Sequence, residues 1–340
     1  MNNTIEKDII KEFGKGVMRS GSAVVDAELL TIPVSPALDV VLGGGIPEGS
    51  FVIFTGQPKC GKTTLSLHFA AKCQEAQHNG DLCKDGRHVY FFNIEGRLKK
   101  RDLEGIKGLD LERFHVIGSE PGKILSAENY LSIAEKTINN VPGSVVILDS
   151  YSALCTEAEI TSGMDKMQRA DGAKLLAKFC RKVANVVPVN KNIVIGITHL
   201  MGNPTGYGAE FREKSGQAVA YQVDVKLRAK RFVPWEVSGT QIGQTIDWQV
   251  ITSAIGPPGG RITGYLRYGE GIDESTELVV LGTDLGLISK AGAWFTFSFL
   301  EGGEEEKPKF QGAEKCRIAL LEKPELKVKL IESINSILGI

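Results

Sequence analysis

The chain has 340 residues, 42% of them hydrophobic and 24% charged, with 40 Lys and Arg against 41 Asp and Glu for a formal net charge of −1. This length and composition exclude a disordered or fibrous polypeptide and leave room for one large domain with appendages. The near-zero charge means that any nucleic-acid site must be a local concentration of charge rather than a property of the whole surface. The cysteines Cys60, Cys73, Cys83, Cys155, Cys180 and Cys316 show neither paired spacing nor the density of a disulfide scaffold, so reduced thiols are expected. Cys73, His78, Cys83 and His88 are too irregularly spaced to predict a metal site. No apolar run approaches the roughly 20 residues of a membrane span. The opening MNNTIEKDIIKEFGKG is too polar for a secretory signal, so no membrane association and a cytoplasmic location are expected, the host cytoplasm if the source is viral.

In chain order, Ile5, Ile9 and Phe13 fall at i, i+4 and i+8 and predict an amphipathic helix over 4–13 that GKG stops. FVIFT, Phe51 to Thr55, is a short apolar run followed by a glycine turn that opens a helix, hence strand, loop, helix. HVYFFNI (His88 to Ile94), SVVILD (Ser144 to Asp149) and NIVIGIT (Asn192 to Thr198) are nearly continuous apolar runs, the pattern of strands buried on both faces of a parallel sheet. Helices near 124–140 and 165–187 connect them. From about 221, YQVDVKLRAKR, IDWQVIT and TGYLRYG alternate with polar residues and predict antiparallel strands at a sheet edge. The region from 273 onward reads as a helix, GAWFTFSF, an acidic turn GGEEEKPK and a final helix, a small appendage. The fold class is α/β.

The most informative segment is GQPKCGKTT, made of Gly56, Gln57, Pro58, Lys59, Cys60, Gly61, Lys62, Thr63 and Thr64, which fits the Walker A pattern G-x-x-x-x-G-K-[ST] in its strand-to-helix context. Loop amides and the positive end of the following helix cradle phosphates, Lys62 reaches the β and γ oxygens, and Thr63 binds Mg²⁺. ATP with Mg²⁺ is therefore the expected cofactor pair. Asp149 ends the apolar strand VVILD where a Walker B aspartate for Mg²⁺ is required, although a strand-ending Asp taken alone reads as a turn residue; Ser150 beside it is a candidate assistant. Glu95 closes HVYFFNIE and is the best-placed acid for orienting water, the alternative being a surface residue beside the basic run GRLKKR.

With these residues in place, FGKGVMRS (Phe13 to Ser20), SPALDVVLGGGIPEGSFVIFTG, YGEGI and KAGAWF resemble segments of the RecA family of recombinases, and the resemblance extends over nearly the whole chain. It implies a RecA-type P-loop core with a mostly parallel twisted sheet flanked by helices, a short N-terminal helix and a small C-terminal α/β appendage. The implied division is 1–32 as a polymerisation segment, 33–272 as an ATPase core with two DNA-binding loops, and 273–340 as a C-terminal domain. It implies a DNA-dependent ATPase that polymerises as a helical filament on single-stranded DNA, binds ATP between subunits and exchanges strands with homologous duplex DNA. Single-strand-binding and mediator proteins are further expected partners. Carried over by position, Lys62, Glu95 and His199 take catalytic roles, His199 as a sensor of the γ-phosphate. Tyr268 and Gly269 lie near the nucleotide base.

Two segments resemble the family's DNA-binding loops, TEAEITSGMD at 156–165 and LMGNPTGYGAEFREKS at 200–215. Their expected DNA contacts are Met164, Arg169, Gly202, Asn203, Tyr207, Phe211, Arg212 and Lys214, with backbone amides and cations on phosphates and apolar side chains wedged between bases. The chain departs from the bacterial pattern at IDWQVITSAIGPPGG, where Thr252 and Ala254 replace two lysines, so either another cation such as Arg261 stabilises charge across the interface or hydrolysis is coupled differently. A base-stacking tyrosine is also missing, with Arg101 the candidate replacement. Two other classes stay open on the residues alone: a RecA-fold helicase or motor, and a regulatory ATP-binding scaffold.

Overall fold

The computed structural model describes residues 2–26, 30–76, 86–163, 171–202, 211–213, 222–237, 239–301, 303 and 307–340. The chain divides into two compact units, Met1–Leu30 and Thr31–Ile340. In the first, helix α1 (Asn2–Phe13) is followed by a short helix α2 (Gly21–Val25) that the sequence pattern does not announce. The Ser20 hydroxyl caps α2 by accepting from the Ala23 amide at 3.1 Å. On α1, Ile5 and Phe13 of the predicted stripe stand exposed.

The second unit is built on one mixed sheet. Strands β3 (Phe51–Gly56), β4 (Val89–Asn93), β5 (Phe114–Ile117), β6 (Val145–Asp149) and β7 (Ile193–Gly202) run parallel in the order β3-β7-β6-β4-β5. Their apolar runs follow from burial on both faces: Val52, Phe54, Val146, Ile147, Leu148, Val194 and Ile195 are all fully buried. On one face pack α6 (Ala127–Asn140) and α8 (Asp171–Val183), which close a core through Tyr130, Leu131, Ala134, Leu176, Phe179 and Val183. Ser126 starts α6 with a capping box to Asn129, so the helix begins where its own sequence directs it.

Strand β9 (Val225–Val237) corrects the expectation of an edge: it lies inside the sheet, parallel to β3, and only its far side is antiparallel, to β10 (Thr240–Thr252). The alternating pattern of β9 misleads because only its first five residues lie largely inside the sheet; from Lys230 to Val237 it is mostly exposed. Beyond β10, β11 (Arg261–Arg267) and β12 (Gly271–Ile272) continue antiparallel, as expected. A separate antiparallel sheet of residues Ile288–Ala291, Trp294–Phe297 and Lys309–Gln311 joins the helices Glu274–Asp284, Ala313–Glu322 and Pro324–Leu338 around Leu278, Phe297, Leu320 and Leu330. This is the small C-terminal α/β appendage. Among the described residues, no helix is long and apolar enough to cross a membrane.

The parallel register levels the carboxyl ends of the strands. Gly56 pairs with His199, and Asn93 with Asp149, so the residues that follow four strands emerge at one rim. Within that frame Gly196 has no room for a side chain: a Cβ there would stand 2.1 Å from the Tyr151 ring. Gly196→Ala is expected to lower stability by about 1–3 kcal/mol through overpacking, measured as a shift in the urea midpoint at unchanged slope.

Candidate nucleotide site

Helix α4 (Lys62–Glu75) starts at Gly61, whose φ of 78° is left-handed and suits glycine. A Cβ on Gly61 would meet Ile246 Cδ1 at 2.7 Å and Leu266 Cδ1 at 3.0 Å, so the loop is pressed against β10 and β11. Lys59, at φ 63°, holds a left-handed conformation without being glycine, and its carbonyl accepts from the Gln244 Nε2 at 3.1 Å. The Lys62 ammonium is buried and donates to the carbonyls of Gly56 at 3.1 Å and Gln57 at 2.7 Å, curling back over the loop. Cys60 is buried beneath it, and burial holds its thiol above the ordinary value.

Across from the loop, the Thr63 hydroxyl donates to Asp149 Oδ2 at 2.7 Å. Burial pushes the Asp149 carboxyl up, with that hydrogen bond opposing. Glu95 accepts from His199 Nε2 at 2.7 Å and from the Ser150 hydroxyl at 2.6 Å. Facing a carboxylate, Nε2 must carry the proton. These two bonds, His199 first, draw the Glu95 carboxyl down to about 2 against the opposing effect of burial. The His199 backbone amide is itself anchored by the Ser152 hydroxyl at 2.9 Å.

All of these groups face one cleft of about 890 Å³, lined by Pro58 to Thr64 together with Glu95, Arg101, Asp149, His199, Gln241, Tyr268 and Gly269. That volume lies within the range of small-molecule and cofactor sites. Gly56 and Gln57 stand just behind the lining, where they hold Lys62. At the far end Tyr268 accepts from Gln241 Nε2 at 2.9 Å, and Arg101 is exposed beside it. The cleft thus joins Lys62, Thr63, Asp149, Glu95 and His199 at one end with Arg101, Tyr268 and Gly269 at the other.

The residues expected to contact DNA stand differently. Met164, Arg169, Asn203, Tyr207 and Lys214 lie outside the described residues. Gly202 ends β7, and Phe211 and Arg212 belong to a short strand β8 (Phe211–Glu213) that pairs antiparallel with it, so part of the expected 200–215 loop is a strand. The 156–165 segment is likewise not all loop: Thr156 and Glu159 form a capping box that starts the helix Glu157–Thr161. Gln241, Gln244, Arg97 and Ser152 are site residues that the sequence reading missed. No local motif marks them: Arg97 pairs with Glu95 two residues away within an ordinary basic run, and the other three act through tertiary pairings, Gln244 with a loop 185 residues away.

The model of the RecA N-terminal domain matches residues 1–273. The chain belongs to the RecA family. It is 29% identical to Protein RecA of Campylobacter jejuni subsp. doylei over 338 residues, covering 98% of this chain and 92% of that one. It is 30% identical to Protein RecA of Rubrobacter xylanophilus over 341 residues, with 99% and 93% covered, and 28% identical to that of Aquifex aeolicus over 342 residues, with 98% and 91% covered. The α/β architecture, with its mostly parallel central sheet and small C-terminal antiparallel sheet, is consistent with a RecA-type core.

The Glu95 pair carries a pH signature. A carboxyl held below its unfolded value of 4.5 stabilises the fold above that pH and loses the contribution as pH falls toward about 2. Glu95→Gln is expected to remove on the order of 2 kcal/mol of the stability lost between pH 5 and pH 2. Urea denaturation of both proteins across that window checks it; parallel curves would contradict the assignment.

Proposed function

We propose that the chain is an ATP-dependent homologous recombinase, polymerising as a helical filament on single-stranded DNA, pairing it with homologous duplex DNA and hydrolysing ATP. The observation that carries this reading is the gathering of Lys62, Thr63, Asp149, Glu95 and His199 in one cleft, within a chain whose RecA-type match runs through residue 273.

The residues fit ATP with Mg²⁺. Gly61 takes the left-handed turn that opens helix α4 at the loop, and Lys62 carries an ammonium able to exchange its loop carbonyls for phosphate oxygens. Thr63 and Asp149 present a hydroxyl and a carboxylate together, the small oxygen set that Mg²⁺ uses when most of its shell is water and phosphate. When bound, the cation neutralises charge on the transferring phosphoryl group. Glu95 orients the attacking water, and its carboxylate, ionised through its bonds to His199 and Ser150, is in the form that accepts a proton. Arg101, Tyr268 and Gly269 hold the nucleoside end.

His199 links the two functions. It closes the cleft from β7, which runs on through Gly202 toward the second DNA segment. A change of hydrogen-bond partner at Nε2, from Glu95 to a phosphate, is transmitted along that strand. Met164, Arg169, Asn203, Tyr207, Arg212 and Lys214, with Gly202 and Phe211, contact DNA without reading its sequence, as a homology search requires. The exposed Ile5 and Phe13 of α1 dock on a neighbouring subunit. Single-strand-binding and mediator proteins assist loading in the cytoplasm.

In a fluorescence strand-transfer assay with ATP and Mg²⁺, transfer is expected to a homologous duplex and not to an unrelated one. Transfer or unwinding regardless of homology would indicate a motor, and no activity a scaffold. Glu95→Gln is expected to keep nucleotide binding within about threefold and to slow hydrolysis by roughly 10²–10⁴-fold, measured by phosphate release with single-stranded DNA.

A further inference from the structure

The turn that carries Tyr268 and Gly269 is held from behind by the C-terminal appendage. Arg317, on the helix Ala313–Glu322, is almost fully buried and donates to three carboxylates: Nε to Asp273 at 2.6 Å, Nη2 to Glu270 at 2.6 Å and Nη1 to Glu314 at 3.0 Å. Asp273 also accepts from Arg267 Nε at 2.8 Å, and Arg267 reaches Glu314 at 3.1 Å. Two cations therefore bracket three carboxylates, and Lys107 completes the balance by pairing with Glu270 at 3.2 Å. Arg267, Glu270 and Asp273 flank Tyr268, Gly269 and Gly271, three residues of the cleft wall. On the opposite side the turn packs on the end of the helix Lys100–Glu104: a Cβ on Gly271 would lie 3.1 Å from the Gly105 carbonyl.

A guanidinium satisfies three acceptors in fixed directions, which a flexible ammonium cannot do. The surrounding acids are also charge-matched, so loss of Arg317 leaves Glu270, Asp273 and Glu314 repelling one another and loosens the turn they hold. We infer that Arg317 is a positioning residue for nucleotide binding: acting through Glu270 and Asp273, it fixes the Tyr268–Gly269 turn and makes the C-terminal appendage part of the site's affinity for the nucleoside end. This rests on the reading of the cleft as an ATP site.

The test compares two ligands in the absence of DNA, ATP and inorganic tripolyphosphate, each titrated against the full chain by competition with a fluorescent nucleotide. Tripolyphosphate engages the phosphate loop and lacks the nucleoside, so the ratio of the two dissociation constants isolates the turn. Arg317→Ala is expected to weaken ATP by about five- to thirty-fold, the loss that follows when a charged hydrogen bond is removed, with tripolyphosphate unchanged within about twofold. Arg317→Lys is expected to fall between Ala and the parent chain. If Arg317→Ala does not fold, Glu270→Gln, at a half-exposed position, severs one link of the same network and is expected to change the ratio in the same direction. Unchanged ATP affinity in both Arg317→Lys and Glu270→Gln, or equal weakening of both ligands, overturns the proposal. Failure of the parent chain to bind either ligand would remove the ATP reading itself, and the proposal with it.

Discussion

The molecule depends on the register among β3, β7, β6 and β4. Parallel pairing sets Gly56 beside His199 and Asn93 beside Asp149, so the turns after four strands are delivered to one rim with no further device. Packing on both faces fixes the register, because a one-residue slip would exchange the side chains fitted to one buried face with those fitted to the other. The placements of the Gly56–Thr63 loop, Asp149 and Glu95 are therefore consequences of core packing, and their spacing is as rigid as the core.

What the sequence makes legible follows the same logic. Phe51–Thr55, Ser144–Asp149 and Asn192–Thr198 are short or nearly continuous apolar runs, and a run of that kind announces a doubly buried strand before any partner is known. The loop from Gly56 to Thr63 is local, and so are the residues that close each strand. Even the helix at Glu157–Thr161 is locally encoded in the Thr156-x-x-Glu159 box, although glycine and polar composition favour a loop reading there.

The illegible part is whatever depends on a pairing across the chain. Ser152 matters because it reaches the His199 amide 47 residues on, and Gln241 because β10 bends it toward Tyr268. β9 reads as an edge because its outer residues are exposed, whereas its first residues lie against β3. Arg317 carries no motif; its meaning appears only once Glu270 and Asp273, more than forty residues away, join Glu314 of its own helix around it.

The contact between Gly61 and the antiparallel half of the sheet has a genetic reading. The volume that a side chain at 61 would need is held by Ile246 and Leu266, so the identities at these three positions are not independent. Shrinking 246 or 266 relieves the clash of a larger residue at 61 but leaves its left-handed backbone strained, so a substitution there carries one cost that strands nearly two hundred residues downstream can offset and one that they cannot.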